Sequence, residues 1–169
     1  MTQEELKKLV SYDPVTGVMT LLSCYHKSKE GKKLGCKDKQ SGYCRISLNG
    51  ISHYAHRLAW LYVYGENPKQ IIDHINGDKL DNKISNLRLA NKSENAVNSK
   101  LKINNSTRVK NVSFIKAREM YTVTLHTNGK YKFIGSFKDL ELAELVAFEA
   151  REKYHGAFAN HGGSQWPLS

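Results

Sequence analysis

The N-terminal part of the chain changes from a helical pattern to a strand pattern. Thr2, followed three residues later by Glu5, forms a capping box and predicts a short helix to about Val10. The segment Asp13-Pro14-Val15-Thr16-Gly17 has the composition of a turn. The run VMTLLSC that follows it is apolar and β-branched, which predicts a strand. A small region of helix and β-hairpin therefore precedes the rest of the chain.

The next part of the chain combines a hairpin pattern with a second helical pattern. Asn49-Gly50, the dipeptide preferred in type I′ turns, lies between two strand-like runs, Tyr43 to Leu48 and Ile51 to Ala55. The segment AHRLAWLYVYG has apolar residues at helical spacing and ends in a glycine, so it predicts a helix with a C-terminal stop. His56 and Arg57 lie on its first turn. A histidine there more often packs or hydrogen-bonds than binds a ligand, whereas Arg57 could reach a phosphate.

The segment from Ile71 to Asn98, IIDHINGDKLDNKISNLRLANKSENAVN, places two short apolar runs around a loop rich in Asn, Asp and Gly. The first run predicts a strand that ends in Asp73-His74, and Leu87 to Ala90 can return as a second strand. Asn91, with a glutamate three positions later, resembles a capping box and predicts a helix. This strand-loop-strand-helix layout would bring Asp73-His74 beside Asn95 in the first helical turn.

Beyond Asn98 the sequence becomes polar and basic without a clear period, which predicts a linker at residues 99–109. Three strand patterns follow, and Asn128-Gly129 joins the last two with another type I′ signal. Asp139 then caps a helical pattern that continues to about His155. The predicted strands are Val112 to Ile115, Met120 to His126 and Tyr131 to Phe137. We therefore expect a three-stranded sheet packed on one helix.

The charge of the chain narrows the choice of partner. Lys and Arg number 26 against 16 acidic residues, a net charge of +10, which favours a nucleic acid or an anionic membrane surface. No apolar run reaches transmembrane length and no signal peptide is recognisable, so we predict a cytoplasmic protein without a membrane partner. Cys24, Cys36 and Cys44 form no Cys-x-x-Cys motif, which predicts reduced thiols. The six lysines from Lys27 to Lys39 form a basic loop that is either a solvated connection or a phosphate contact.

The polar groups between Ile71 and Asn98 suit metal-assisted hydrolysis of a phosphodiester. Asp73 and the amide oxygen of Asn95 would supply two ligands to a hard divalent cation, Mg²⁺ or Mn²⁺. His74, with an ordinary pKa of about 6.5, could take the proton from an attacking water. Asn86 could hydrogen-bond across the loop and hold the imidazole in one orientation. Zinc is disfavoured because the segment offers one histidine and no cysteine. The simpler alternative is an Asx-rich turn with a surface histidine.

Several motifs together resemble the signature of the phage and intron HNH endonucleases. They are Asp73-His74-Ile75-Asn76-Gly77-Asp78, Asn82, Ser85-Asn86-Leu87-Arg88 and Ser93-Glu94-Asn95, with Tyr12-Asp13-Pro14-Val15-Thr16-Gly17, Gly42-Tyr43 and His56-Arg57-Leu58-Ala59-Trp60 upstream. The resemblance covers roughly residues 8–98. It implies a ββα-metal site in which Asp73 is a metal ligand, His74 the general base and Asn86 the central asparagine. It also implies that Asn95 replaces a frequent histidine as the second ligand, with Asn91 and Asn98 as alternatives.

Charge is divided unequally within the C-terminal part. From Asn104 to Lys138 there are seven Lys or Arg against one acidic residue, a net +6, whereas Asp139 to Ser169 has two against five, a net −3. The predicted sheet would face a polyanion while the helix packs behind it, as in proteins that insert a β-sheet into a DNA groove. The alternative is that the lysines only keep an exposed sheet soluble. The candidate contacts are Lys116, Arg118, Thr122, Thr124, Lys130 and Lys132, with Arg118 for a base edge, and Arg57 and Arg88 in the N-terminal part.

The C-terminal part also resembles the ethylene-response-factor-type DNA-binding domain of plant transcription factors, which follows HNH modules in phage endonucleases. The matching pieces are Asn104-Asn105-Ser106, Lys110-Asn111-Val112, Tyr121, Ile134-Gly135-Ser136-Phe137 and His155-Gly156-Ala157-Phe158-Ala159. The resemblance implies a small sheet that binds DNA.

These observations predict an α+β chain with a nuclease domain and its lead-in at residues 1–98, a linker at 99–109 and a DNA-binding domain at 110–160. We expect a metal-dependent homing endonuclease of phage or mobile-element origin that nicks or cuts double-stranded DNA. It would act as a monomer on DNA, with a dimer as the alternative. Two other functions stay open. One is a non-cleaving DNA-binding regulator, and the other is an RNA-binding protein, whose platform of exposed aromatic side chains is not evident in the sequence.

Overall fold

The structure is a computed structural model that describes residues 1–22, 31–99, 101, 104–127 and 129–162. Helices alternate with small antiparallel sheets, so the α+β prediction is confirmed. The chain divides into two units, Met1–Ala90 and Asn91–Ser169. Cys24, Asn128 and the start of the basic stretch, residues 27–30, lie outside the described residues. Within the described ranges, no helix has the length and apolarity needed to cross a membrane.

The first unit begins with helix α1 (Gln3–Leu9), and both hydrogen bonds of the predicted capping box are present. It continues into a hairpin of strands β1 (Val10–Asp13) and β2 (Val18–Leu21). Strand β1 was not predicted, because residues 10–13 alternate between buried and exposed positions over only four residues. Within the predicted basic loop, β3 (Lys33–Leu34) pairs with β2, and β4 (Cys36–Lys37) pairs with the strand that follows. The basic loop predicted from Lys27 to Lys39 therefore contains two short strands, at residues 33–34 and 36–37.

The middle of the first unit is a hairpin followed by a helix, as predicted. Strands β5 (Cys44–Leu48) and β6 (Ile51–Tyr54) are joined by Asn49 and Gly50, whose φ angles of +50° and +78° are those of a type I′ turn. Helix α2 (Ala55–Tyr64) ends at Gly65 in the left-handed conformation. Its buried side chains share one core with residues of α1, β1, β2 and β5, among them Leu6, Met19 and Ile46.

Two further strands complete the first unit. Strand β7 (Ile71–His74) pairs antiparallel with β8 (Leu87–Ala90), and His74 lies opposite Leu87. Ile72 and Leu87 belong to the same core as α2, so the burial of apolar residues fixes which side chains of β7 face inward. The loop at residues 75–86 connects the two strands, as the sequence predicted.

The second unit contains a short helix and a sheet backed by a long helix. Helix α3 (Lys92–Val97) starts with the predicted Asn91–Glu94 capping box. Strands β9 (Val112–Ile115), β10 (Met120–Thr127) and β11 (Lys130–Phe137) form an antiparallel sheet with β10 in the centre. Helix α4 (Leu140–His155) begins at Asp139, and its Ala143 and Ala147 pack against Val112 and Val123 of the sheet. The predicted sheet and helix are thus confirmed, whereas the domain boundaries at 98 and 110 stay predictions.

Candidate active site

The Asp73-His74 pair lies at the end of β7, and both side chains are almost fully buried. Asp73 is the cross-strand partner of Arg88 on β8. Nε and Nη2 of Arg88 each lie 2.9 Å from Oδ2 of Asp73, so the guanidinium grips one oxygen of the carboxylate. This ion pair compensates the charge of Asp73 and holds its side chain in one orientation. The ion pair also places Arg88, which was predicted as a DNA contact, within the candidate site.

The imidazole of His74 is surrounded by an asparagine and aromatic rings. Its Nε2 lies 3.4 Å from Oδ1 of Asn82, while Nδ2 of Asn82 donates to the carbonyl of Leu80. This orientation of the Asn82 amide favours a hydrogen on Nε2 of His74. The ring centroids of His56 and Tyr43 lie 5.2 Å and 5.9 Å from that of His74.

Burial determines the protonation state of this histidine. It lowers the pKa of His74, whereas the contact with Asn82 and the charge of Asp73 act in the opposite direction. The imidazole is therefore neutral at neutral pH and can accept a proton. Burial also lowers the pKa of the neighbouring His56, to about 3.

Asn86 fastens the two ends of the loop between β7 and β8. Its Oδ1 accepts from the backbone N–H of Asn76 at 3.0 Å, and its Nδ2 donates to Oδ1 of Asn76 and to the carbonyl of Asp81 at 3.0 and 2.8 Å. Asn86 thus makes the predicted hydrogen bonds across the loop. The asparagine that contacts the imidazole is Asn82 rather than the predicted Asn86, and the sequence indicated Asn82 only as part of the motif.

The N-terminal hairpin supports this loop from outside. The hydroxyl of Tyr12 donates to the carbonyl of Asn82 at 2.7 Å, and the N–H of Ile84 donates to the carbonyl of Pro14 at 3.2 Å. Gly17 has a φ of +73°, and a Cβ there would lie 2.5 Å from the backbone nitrogen of Lys83. The turn therefore packs backbone against backbone beside Asn82. This explains why the lead-in motif contains a tyrosine and a glycine at positions 12 and 17.

A lysine fixes the other side of the loop. Nζ of Lys79 donates to the carbonyl of Ser41 at 2.9 Å and lies 4.4 Å from the ring centroid of Tyr43. Burial and the charge of Asp73 raise the pKa of Tyr43. Because the Tyr43 ring contacts His74, the lysine, the tyrosine and the imidazole form one continuous set of contacts.

The asparagines predicted as the second metal ligand belong to the second unit. Oδ1 of Asn91 accepts from the N–H of Glu94 as a helix cap, and Oδ1 of Asn98 accepts from Nδ2 of Asn160 at 2.8 Å. Both alternatives to Asn95 therefore have their amide oxygens engaged in structural bonds. Asn95 lies half-buried on α3. Its pairing with Asp73 stays a prediction, because the two residues belong to different units.

The donor chemistry of the predicted ligands fits a hard cation. A carboxylate and an amide oxygen are ligands that Mg²⁺ and Mn²⁺ accept, and Mg²⁺ usually keeps several waters and substrate oxygens besides one or two protein ligands. Among the described residues, no group of three or more His, Cys, Asp or Glu side chains could enclose a metal ion. The choice of Mg²⁺ or Mn²⁺ over zinc stays a prediction that rests on this donor chemistry.

The predicted DNA contacts of the second unit fall on two faces of its sheet. Thr122 and Thr124 lie on the outer face, where Oγ1 of Thr122 is 3.0 Å from Oγ of Ser136. Lys116 and Arg118 are exposed on a short turn after β9, and Lys130 is exposed at the start of β11. Lys132 does not share the outer face with Thr122 and Thr124, although it was grouped with them as a candidate DNA contact.

A β-bulge causes this exception. The register between β10 and β11 shifts between Val123 and Thr124. Lys132 is therefore paired with the buried Leu125, on the side of the helix, and its Nζ lies 4.0 Å from the ring centroid of Tyr154 on α4. A strict alternation from the sequence cannot reveal such a shift.

Two aromatic residues on the outer face were missed. Tyr131 and Phe133 are 82% and 64% exposed, and they are the cross-strand partners of His126 and Thr124. No exposed aromatic platform was evident from the sequence, because a strict period-two alternation does not contain the bulge. The outer face therefore combines hydroxyl groups, two exposed rings and nearby basic side chains.

Comparison with known proteins defines the class. Residues 53–97 match the family model described as HNH endonuclease, and the chain belongs to this family. A relative is protein 3.8 of Escherichia phage T7, which is 37% identical over 107 residues, or 62% of this chain and 86% of the relative. A solved structure, described as DNA binding and cleavage by the HNH homing endonuclease I-HmuI, is 24% identical. The structural match covers 74% of this chain and 71% of the chain in that solved structure, with a TM-score of 0.43. The HNH resemblance is confirmed, whereas the ethylene-response-factor resemblance stays a prediction.

Proposed function

We propose that the chain is a phage-type endonuclease that hydrolyses a phosphodiester bond in double-stranded DNA with Mg²⁺ or Mn²⁺. The observation that carries this proposal is the buried Asp73-His74 pair, in which a carboxylate oriented by Arg88 adjoins a neutral imidazole. Membership of the HNH family supports it. The homing role and a location in the cytoplasm of an infected host cell are part of the same proposal.

His74 is the proposed general base. Its lowered pKa keeps the imidazole neutral, so that it can take the proton from a water that attacks the phosphorus, and the Asn82 contact orients the ring. Asn86 keeps the loop closed so that Asn82 stays beside the imidazole. Asp73, with Asn95 as the second predicted ligand, would hold the ion. The bound ion would neutralise charge on the phosphate and stabilise the leaving 3′ oxygen.

The outer face of the second unit is the proposed DNA anchor. Arg118 is the proposed contact to a base edge, and the neighbouring residues would position the duplex through its phosphates. Lys132 is omitted because it lies on the side of α4. The anchoring residues are Lys116, Arg118, Thr122, Thr124 and Lys130, with Arg57 in the first unit. A monomer with one site would nick one strand, and a double-strand cut would require two molecules or re-orientation of one molecule on the DNA.

Incubation with supercoiled plasmid tests the proposal. We expect nicked or linear plasmid with Mg²⁺ or Mn²⁺, no product with EDTA, and a large loss of product for His74→Ala. Equal cleavage by wild type and His74→Ala would show that the base is assigned wrongly. Binding of duplex DNA without cleavage of any plasmid tested would favour the non-cleaving regulator.

The exposed rings support a second candidate, binding of single-stranded nucleic acid. Aromatic rings on a sheet can stack on unpaired bases, and each base contributes about 1–3 kcal/mol. Tyr131 and Phe133 offer two such rings. This candidate predicts tighter binding of single-stranded RNA or DNA than of duplex, and a loss on Tyr131→Ala. Leu142→Ala on the exposed side of α4 is the control. Tighter binding of duplex, unaffected by Tyr131→Ala, would exclude this candidate.

A further inference from the structure

A cavity in the first unit is lined by two arginines and by no acidic residue. Its volume is about 220 Å³, and Arg45, Ser52, Tyr54, Arg57 and Asn67 contribute to its walls. Because one water occupies about 30 Å³ of liquid volume, the cavity can hold a phosphate group together with several waters. Neither Asp73 nor His74 lines it, so this cavity is distinct from the candidate active site.

Neutral acceptors hold the Arg45 guanidinium in place. Nε of Arg45 donates to Oγ of Ser52 at 2.9 Å, and Nη2 donates to the carbonyl of Ser52 at 3.4 Å. The guanidinium carbon lies 4.7 Å from the ring centroid of Tyr54, its cross-strand partner. These contacts fix the orientation of the group without an ion pair, and the charge of Asp38 acts on the guanidinium only from a distance.

Arg57 is held in the same manner at the start of α2. Its Nε and Nη2 donate to Oδ1 of Asn67 at 3.1 and 2.6 Å, and Nη2 also donates to the carbonyl of Pro68 at 2.7 Å. Within the described part of the chain, no carboxylate lies within ion-pair distance of either arginine. The Nη1 group of each arginine makes no hydrogen bond to a described residue. Two pre-oriented guanidinium groups with unused donors are suited to an anion with several acceptor oxygens.

A chain of ring contacts limits the distance from this cavity to the candidate base. Tyr54 stacks on His56 with ring centroids 5.5 Å apart, and His56 lies 5.2 Å from His74. Together with the contact between Arg45 and Tyr54, this places the guanidinium at most about 15 Å from the imidazole, which is the rise of four to five base pairs along the helix axis at ~3.4 Å each. A phosphate in the cavity and a scissile phosphate at His74 could thus belong to the same duplex, a few nucleotides apart.

We propose that Arg45 and Arg57 together bind one backbone phosphate of the DNA a few nucleotides from the bond that is cut. The proposal rests on the proposed endonuclease function and adds a contact that holds the substrate in register with His74. Arg57 was a candidate contact from the sequence, whereas Arg45 was not. The sequence could not indicate Arg45 because the two arginines lie on different elements, the β5–β6 hairpin and helix α2, and line the same cavity only in the folded structure.

The test measures DNA affinity without cleavage. Binding of a short duplex by wild type, Arg45→Gln, Arg57→Gln and the double variant is followed by fluorescence anisotropy in EDTA over a range of salt concentrations. Lys8→Gln, an exposed residue of α1, is the control with the same change of charge. Loss of one phosphate contact should lower the slope of log K against log salt by about 1. We expect each arginine variant to bind about five- to tenfold more weakly at low salt, and Lys8→Gln to change affinity less than twofold.

The double variant tests whether one phosphate is shared. If both arginines grip the same phosphate, the slope falls by about 1 in the double variant and by no more than that in each single variant. A fall of about 2 would overturn the shared site, and arginine variants that behave like Lys8→Gln would overturn the phosphate contact. Circular dichroism and thermal unfolding check folding. Arg45→Lys is the second variant, because it keeps the charge but loses the forked donor geometry, and we expect it to bind more weakly than wild type.

Plasmid cleavage separates this proposal from the function on which it rests. If wild type cuts plasmid and the arginine variants bind as tightly as the control, the cavity is wrong and the endonuclease function stands. If wild type cuts no DNA under any metal while the arginine variants lose affinity, the endonuclease function is wrong and the phosphate site stands.

Discussion

Replacement of Gly17 by alanine tests the support that the N-terminal hairpin gives to the active-site loop. Gly17 and Gly50 have similar φ angles, +73° and +78°, so alanine is strained equally at both positions. They differ in their surroundings. A Cβ at Gly17 would lie 2.5 Å from the nitrogen of Lys83 and 2.6 Å from the carbonyl carbon of Asn82, whereas a Cβ at Gly50 meets nothing within 4 Å. Gly50→Ala is therefore a matched control.

The difference in surroundings sets the expected magnitude. The left-handed conformation costs an L-residue about 1–2 kcal/mol, so Gly50→Ala should lower the free energy of unfolding by about 1 kcal/mol after the smaller entropy of the unfolded chain is counted. Gly17→Ala adds a clash with backbone atoms that cannot rotate away, and overpacking of this kind typically costs a further 1–3 kcal/mol. We therefore expect Gly17→Ala to destabilise the first unit by about 2–4 kcal/mol.

Guanidinium unfolding followed by Trp60 fluorescence measures both variants. Trp60 is buried in the first unit, and a Trp166→Phe background removes the second tryptophan signal. We also expect Gly17→Ala to cut plasmid more slowly than Gly50→Ala, because the clash displaces Asn82 from His74. Equal destabilisation by the two substitutions, or normal cleavage by Gly17→Ala, would refute the supporting role of the hairpin.

Three further predictions concern buried polar groups of the first unit. Tyr12→Phe removes the hydrogen bond to the Asn82 carbonyl, and we expect it to lower the free energy of unfolding by about 1–2 kcal/mol. We also expect slower cleavage at unchanged DNA affinity and faster hydrogen exchange at the Ile84 amide. Unchanged exchange at this amide would contradict the prediction. Asn86→Asp places a carboxylate oxygen against two acceptors, the Asp81 carbonyl and Asn76 Oδ1. Chemical denaturation should show a free energy of unfolding lower by about 2–3 kcal/mol. Wild-type stability would argue against the role of Asn86 in holding the loop closed. Folding lowers the pKa of His56 from 6.5 to about 3, so between these pH values the unfolded chain binds a proton that the folded chain does not. The free energy of unfolding should therefore fall as the pH drops from about 6.5 towards 3, by a few kcal/mol at most. His56→Phe should flatten this pH dependence of unfolding, and an unaltered slope would mean that another group causes it.

Local sequence signals determined much of the fold. Capping boxes at Thr2 and Asn91, the Asn49-Gly50 turn and the glycine stop at Gly65 all act within a few residues, so the sequence pattern locates them directly. The short strands β1, β3 and β4 were missed or merged with a loop. The two-residue strands β3 and β4 carry no alternation to be recognised, β1 follows directly on the helical pattern of α1, and all three depend on pairing with another strand.

The candidate site was partly accessible from the sequence. Asp73, His74 and Asn86 could be proposed because they surround one loop and match a family signature. The contacts of Asn82 with His74 and Tyr12 could not, since they join residues 8 and 70 positions apart. The same holds for the ion pair between Asp73 and Arg88, which depends on the register of β7 against β8. On the sheet, one bulge moved Lys132 to the side of the helix, which no strict alternation predicts.

The cleavage rate of His74→Asn at saturating protein tests the central claim most directly. Asparagine is polar and similar in size but cannot accept a proton as a base, and saturation makes the rate independent of DNA affinity. With plasmid and Mg²⁺, we predict a rate at least 10²-fold below that of wild type, which is the usual contribution of a general base. Unchanged binding of duplex DNA is the control. A rate within about threefold of wild type, with the variant folded and bound, would contradict the assignment of His74 as the base.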